Sequence, residues 1–238
     1  MQFRAVAFDV DGTLYPNGLM YLASIPFFFS RIRLILHFRK IRRTLRQIRP
    51  IEDFYELQSH MLAEALGVDP FRAAEIIDRR IYRDWERVLS AVPRFRGIRS
   101  VIESLREAGV KVGVLSDFPL GNKLGRLGLE GLWDVRVAAE DVGYLKPNPE
   151  PFRELLARLG EAAEDTLYVG NNYAYDVEGA RAVGMRTAYL SPLASSGRPA
   201  TEPGAPSGAD FTFYNYRRLQ KWIFESRHSV PVEKGNRG

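Results

Sequence analysis

Cysteine is absent from all 238 residues, so disulfides and thiolate-held metals are excluded, as fits a reducing compartment. Long apolar runs are missing too. The longest uncharged stretch, residues 12–30, is broken by Gly, Pro, Asn and Ser. It falls short of the roughly 20 mostly apolar residues that a membrane-spanning helix needs. The first residues enter a strand pattern with acids at 9 and 11, unlike a signal peptide, and a cytoplasmic location is expected. Acids are lacking from residues 31–49, which hold eight Lys and Arg. Across residues 16–97 there are 15 Lys and Arg against 9 Asp and Glu; the net charge of +5 therefore lies wholly in that segment, and the remainder is one unit acidic. An apolar fraction of 45% and a charged fraction of 26% are ordinary for a globular chain with a real core.

Five short apolar runs recur: AVAFDV, VKVGVLSD, DVRVAAE, DTLYVGN and RTAYLS. Runs of this kind suit parallel strands buried on both faces. Helical stretches separate them at Ile98–Glu107, 122–127, 150–159 and 176–183, three of them closed by Gly109, Gly160 and Gly184. The alternation predicts an α/β fold, a doubly wound (Rossmann-like), mostly parallel sheet, with a weaker sixth strand at 210–214.

About 80 residues without strand pattern follow the first strand. In them Leu34, Phe38, Ile41, Leu45 and Ile48 form one apolar helical stripe, with Arg33, Arg39, Lys40, Arg42, Arg43 and Arg46 elsewhere around it. Further helices are expected at 51–66 and 70–89. The division expected is an α/β core of residues 1–15 and 98–226, an all-helical cap of residues 16–97 and a loose tail from 227. Residues 192–208, rich in Pro, Gly, Ser and Ala, read as a surface loop.

The first strand ends in Asp9 and Asp11, followed by Gly12 and Thr13. An unpaired buried carboxylate is costly, so a strand ending in two of them is leaving the core to build a site. Side chains at i and i+2 point the same way, and two adjacent acids call for a divalent cation or for solvent. In open α/β sheets sites form beyond the carboxyl ends of strands. Those ends supply Asp9 and Asp11, then Ser116, then the Lys146 loop, then the segment from Gly170 to Asp176. Each has a plainer reading as well: Ser116 as a turn cap, Lys146 as a surface lysine, Asp176 as a helix N-cap. Pro147, Pro149 and Pro151 stiffen the backbone after Lys146, which suits a lysine held in place. Asp117, Asn122, Lys123, Glu140 and Asp141 read as turn caps and solvated acids or bases.

DVDGTLY at 9–15, LSD at 115–117, KPNPEPF at 146–152 and GNNYAYD at 170–176 together resemble the haloacid dehalogenase (HAD) superfamily. The match is best to its phosphatase-like branch with a helical cap after the first strand. It spans residue 3 to about 191, the cap matching in position and helical character only. The resemblance implies a Mg²⁺-dependent phosphatase acting on a small phosphorylated metabolite. Asp9 would be the nucleophile, Asp11 the general acid and base, and Lys146 the counter-charge. Ser116, Gly12 and Thr13 would bond the phosphoryl group, and Asp9, the Asp11 carbonyl, Asp176 and Asn171 would hold Mg²⁺. Many relatives carry aspartate where Asn171 stands, so weaker Mg²⁺ binding is expected here.

Rival readings come from the same pattern. Dehalogenating and phosphonate-cleaving relatives lack the acid at the position of Asp11, whereas a phosphomutase uses both aspartates. A weakly active or non-catalytic member would use Tyr21, Phe27, Phe28, Phe29 and the basic helix against an anionic surface, a membrane included. The plainer view packs those aromatics inside the cap or a dimer contact and leaves the arginines solvated. No nucleic-acid motif accompanies the charge. A monomer or a homodimer is expected, the apolar stripe of the first cap helix being the candidate contact.

Overall fold

The computed structural model describes residues 2–191 and 208–225, except the side chains of residues 26–30. Six strands, Ala5–Phe8 (β1), Lys111–Ser116 (β2), Val135–Ala138 (β3), Thr166–Gly170 (β4), Arg186–Leu190 (β5) and Phe211–Phe213 (β6), pair in parallel in the order β3-β2-β1-β4-β5-β6. All five apolar runs become strands, and the weak sixth signal becomes the sheet edge. Phe8 sits opposite Val114 on one side and Val169 on the other, so β1 is central and the order reverses between β1 and β4. That reversal opens a crevice at the carboxyl ends of the strands.

Strand alternation divides the core. Val6 and Phe8 join one buried cluster with Ile98–Glu107 (α5) and Tyr216–Glu225 (α10), whereas Ala5 and Ala7 join the cluster on the opposite face with Pro149–Leu159 (α8). Pro149 sits in the first turn of α8 and Gly160 ends it in the left-handed conformation, the asymmetry expected of helix ends. Three boundaries of the sheet layer's helices and strands shift from the sequence reading. The 122–127 helix shrinks to Lys123–Arg126 (α6), and β3 runs directly into Ala139–Val142 (α7). The 176–183 helix begins earlier, as a π-helical turn at Tyr173–Val177 before Glu178–Ala182 (α9). Asn172 caps that turn, its side-chain oxygen accepting from the Tyr175 amide at 3.0 Å. Asp176 is therefore not an N-cap.

Between β1 and β2 the chain is helical: Asn17–Leu45 (α1), Phe54–Leu66 (α2), Pro70–Ile76 (α3), a π-helical segment at Ile77–Arg83 and Asp84–Leu89 (α4). The expected 51–66 helix starts only at Phe54, where Asp53 caps it by accepting from the Glu56 amide at 2.9 Å. The 70–89 helix forms with π-helical winding in its middle. Such winding often marks functional positions. Phe38, Ile41 and Leu45 of the apolar stripe are buried, in the same cluster as Leu62 and Leu155. These three thus face inward, while Leu34 is half-buried and Ile48 lies past the helix end. Tyr21 is 54% exposed, while the side chains of Phe27, Phe28 and Phe29 lie outside the described residues. Among the described residues no helix is long and apolar enough to cross a membrane. The proposed loop at 192–208, all but its last residue, and the tail from 227 also lie outside the described residues.

Candidate active site

The four strand-end segments meet. The Lys146 ammonium donates to Asp9 Oδ1 at 2.7 Å and to Asp176 Oδ1 at 2.6 Å, and all three side chains are buried. Tyr168 from β4 stands 3.2 Å from the same nitrogen. Lys146 is held from behind as well, its amide donating to Asp117 Oδ1 at 2.9 Å and its carbonyl accepting from Arg46 Nε at 2.8 Å. The surface-lysine reading fails on this burial. Asp176 spends its other oxygen on the amides of Asn171 and Asn172, at 3.1 and 2.9 Å. Gly170 allows this approach, since a Cβ there would collide with the Asp176 carboxylate.

Thr13 aims its hydroxyl at Asp9 Oδ2, 2.9 Å away, with Asn171 Oδ1 at 3.2 Å. It therefore orients Asp9 in this arrangement, and its amide is already used by the Val10 carbonyl. Gly12 adopts φ 95°, and a Cβ there would strike the side-chain amides of Asn17 and Asn171. Ser116 is fully buried, accepts from the Phe118 amide at 3.1 Å and lies 3.5 Å from Asp11 Oδ2.

Asp11 has partners that sequence reasoning missed. Tyr15 donates to Oδ1, Trp85 Nε1 reaches the same oxygen at 3.3 Å, and Lys123 Nζ lies 3.2 Å from Oδ2. Lys123 is 3% exposed, so it is no solvated turn residue. Tyr15 stands four residues from Asp11, a spacing visible in the sequence; Trp85 arrives from α4, and nothing local signals it. Two more corrections concern the basic helix. Arg42 is buried and paired with Glu140, and Arg46 pairs with Asp117 while stacking over Tyr175 at 4.2 Å. Neither belongs to a solvated face, and Glu140 and Asp117 are not solvated acids.

Charge explains the titration of these groups. Burial pushes Asp9 up to about 7, Asp176 and Asp11 add to the rise, and Lys146 opposes it. Burial would also raise Asp11, yet the Lys123 ammonium and the Tyr15 and Trp85 bonds outweigh it and hold that carboxyl below its usual range. Lys146 stays charged because Asp176 and Asp9 overcome its own burial. Three carboxyl groups thus share two ammoniums, one acid more than the lysines can pair. That imbalance, and an all-oxygen donor set around Gly12, fit a hard divalent cation such as Mg²⁺. Asp9, the Asp11 carbonyl, Asn171 and Asp176 would hold it. Among the described residues no group of three or more acids, histidines or cysteines gathers as a metal site by itself.

Residues 3–184 match the family model described as haloacid dehalogenase-like hydrolase. Pyrophosphatase PpaX of Halalkalibacterium halodurans is 27% identical over 194 residues, covering 80% of this chain and 84% of that protein. Glyceraldehyde 3-phosphate phosphatase of Methanopyrus kandleri is 26% identical over 195 residues, covering 77% of this chain and 82% of its own length. Among solved structures, a 2-haloacid dehalogenase from Pseudomonas syringae pv. Tomato superposes with a TM-score of 0.68 at 24% identity, covering 94% of this chain and 99% of that one. At that identity the likeness bears on the fold.

Proposed function

The chain belongs to the haloacid dehalogenase-like hydrolases, and from that premise we propose that it is a Mg²⁺-dependent phosphatase acting on a small phosphomonoester. The observation that carries the reading is Asp9 clamped between Lys146 at 2.7 Å and Thr13 at 2.9 Å, with Asp11 beside it on its own lysine. Both oxygens of Asp9 are oriented before any substrate arrives, which is the positioning that a nucleophilic carboxylate needs.

In the first half-reaction an Asp9 oxygen bonds to phosphorus while the ester P–O bond breaks, and Asp11 gives the departing oxygen its proton. In the second, Asp11 takes a proton from water, the water oxygen bonds to phosphorus, and the Asp9–phosphorus bond breaks to release phosphate. Held ionised by Lys123, Asp11 suits the second step as it stands. An incoming phosphate dianion raises a neighbouring carboxyl and so prepares the first. Repulsion between two unit negative charges is about 4 kcal/mol at 4 Å and an effective dielectric of about 20, and a phosphate dianion doubles it. Lys146 offsets part of it, and bound Mg²⁺ would supply two further positive charges.

The relatives named pyrophosphatase and phosphatase support phosphorus as the reaction centre. Displacement of halide is supported less well, because halide leaves as a stable anion and needs no proton from an acid at the position of Asp11. The test is release of inorganic phosphate from an aryl phosphate with and without Mg²⁺. Metal-dependent release that falls roughly a thousandfold in Asp9→Asn is expected. Turnover by that variant within tenfold of wild type refutes the reading, as does transfer of the phosphoryl group to a second site on the substrate without release.

A further inference from the structure

The cavity above Asp9 measures about 450 Å³. Sites for small organic ligands span roughly 300–1,000 Å³, so the space exceeds the needs of a phosphoryl group alone. Part of its wall is apolar, built from Ile35, Phe38 and Val88. The rest includes Arg39 and Arg43 of α1 and Arg80 of the π-helical segment. These three guanidiniums have no ion-pair or hydrogen-bond partner among the described residues.

The acids sharing the cavity do not compensate them. Asp84 is taken by Arg31 and by Arg87, the latter at 3.1 Å, and Asp117 by Arg46. Glu86 keeps its charge but turns to the Asn122 amide at 3.0 Å and forms no ion pair with these arginines. Arg39 and Arg43 also stand four residues apart on one helix, where like charges repel. All three are solvent-exposed at the rim of the cavity, where their planar donor forks, free of protein partners, match phosphate and carboxylate oxygens.

We propose that Arg39, Arg43 and Arg80 bind a second anionic group on the leaving-alcohol side of the substrate. The substrate class is then an organic phosphomonoester with a partly apolar body and a carboxylate or phosphate at its far end. Inorganic pyrophosphate, which lacks that body, would leave the apolar wall unused. The inference rests on the phosphatase reading for the position of the first phosphate.

The experiment measures kcat/KM with Mg²⁺ for phenyl phosphate, its 4-(2-carboxyethyl) and 4-(2-phosphonoethyl) derivatives, and pyrophosphate. Insulating the tail by two carbons keeps the phenols nearly equal in acidity. Both tailed substrates should exceed phenyl phosphate at least tenfold, mainly through KM, and should exceed pyrophosphate. That preference should fall about tenfold in Arg39→Gln/Arg43→Gln and in Arg80→Gln. It should persist in Arg33→Gln, an exposed position outside the cavity. The carboxylate and phosphonate arms distinguish which anion the rim favours. A wild-type preference within twofold, a preference surviving both cavity variants, or pyrophosphate as the best substrate overturns the proposal. Calorimetric binding of benzylphosphonate and its 4-(2-carboxyethyl) derivative gives a readout that needs no turnover. Arginine-dependent binding without any hydrolysis would sink the phosphatase reading and keep the anion site; equal binding of the two phosphonates would sink the anion site.

Discussion

Replacing Arg42 by methionine probes the contact that ties the helical insert to the sheet. Arg42 lies on α1, is 4% exposed, pairs with the buried Glu140 of α7 and donates to the Asp117 carbonyl at 3.0 Å. Its guanidinium also covers the Phe118 ring at 3.9 Å, and Tyr82 donates to Glu140 at 2.6 Å. Burial of Glu140 outweighs the pull of Arg42 and Tyr82 and leaves that carboxyl above its usual range. The pair is therefore costly to desolvate, and removing one member strands the other. Such a removal costs about 3–5 kcal/mol, whereas removing both together costs much less. At about 2–4 °C per kcal/mol for a chain of this size, Arg42→Met should lower Tm by on the order of 10 °C. Adding Glu140→Gln should recover a large part of that loss.

The pH dependence has a definite sign. Without the guanidinium, Glu140 rises further above its unfolded value, so the fold favours the protonated carboxyl. The stability this adds is complete below the unfolded carboxylate value of about 4.3 and disappears as pH rises through the folded value. The deficit of Arg42→Met, measured by urea unfolding, should therefore be larger at pH 8 than at pH 5. A single variant within 1 kcal/mol of wild type, or a deficit unchanged between those pH values, refutes the reasoning.

Three other outcomes are expected. Lys123→Met removes the ammonium that holds Asp11 ionised from 3.2 Å, so the step in which Asp11 takes a proton from water should slow about 10–100-fold, and equally for alkyl and p-nitrophenyl phosphates; a loss confined to the alkyl ester would argue against that role for Lys123. Gly170→Ala places a methyl group against the Asp176 carboxylate, and circular dichroism should show a folded protein with turnover down by at least about tenfold; full activity would contradict the role given to that close approach. Asn171→Asp adds a carboxylate beside Asp9 and should tighten the apparent Mg²⁺ affinity about tenfold in a titration of activity, while an unchanged midpoint would remove Asn171 from the metal site.

Much of this site is legible in the sequence because strand ends announce themselves. An apolar run that finishes in Asp9 and Asp11, or in Gly170 ahead of Asp176, leaves a buried layer with polar groups that need partners. A parallel sheet then brings those ends to one edge. Lys146 is legible through its strand-end loop and its prolines, and the structure joins it to both acids. What stays hidden is pairing across long sequence separation. Trp85 and Arg42 come from an insert whose docking no local pattern encodes. Lys123 and Glu140 look like ordinary turn residues until burial shows otherwise. The apolar stripe of α1 was correct as periodicity and silent about its target, since Phe38 and Leu45 turn inward. The helix after β4 starts ahead of Asp176 because Asn172 caps the preceding turn, while Asp176 is drawn to Lys146, a tertiary contact that no local pattern reveals.

The central claim is a covalent phosphoryl group on one carboxylate, and it is tested most directly by acid-quenching wild-type protein during turnover and treating it with borohydride, which reduces an acyl phosphate to the alcohol. Peptide mass spectrometry should then find homoserine in place of Asp9 and nowhere else. Homoserine at Asp11 or Asp176, or an unmodified Asp9 peptide from protein that is releasing phosphate, would contradict the account.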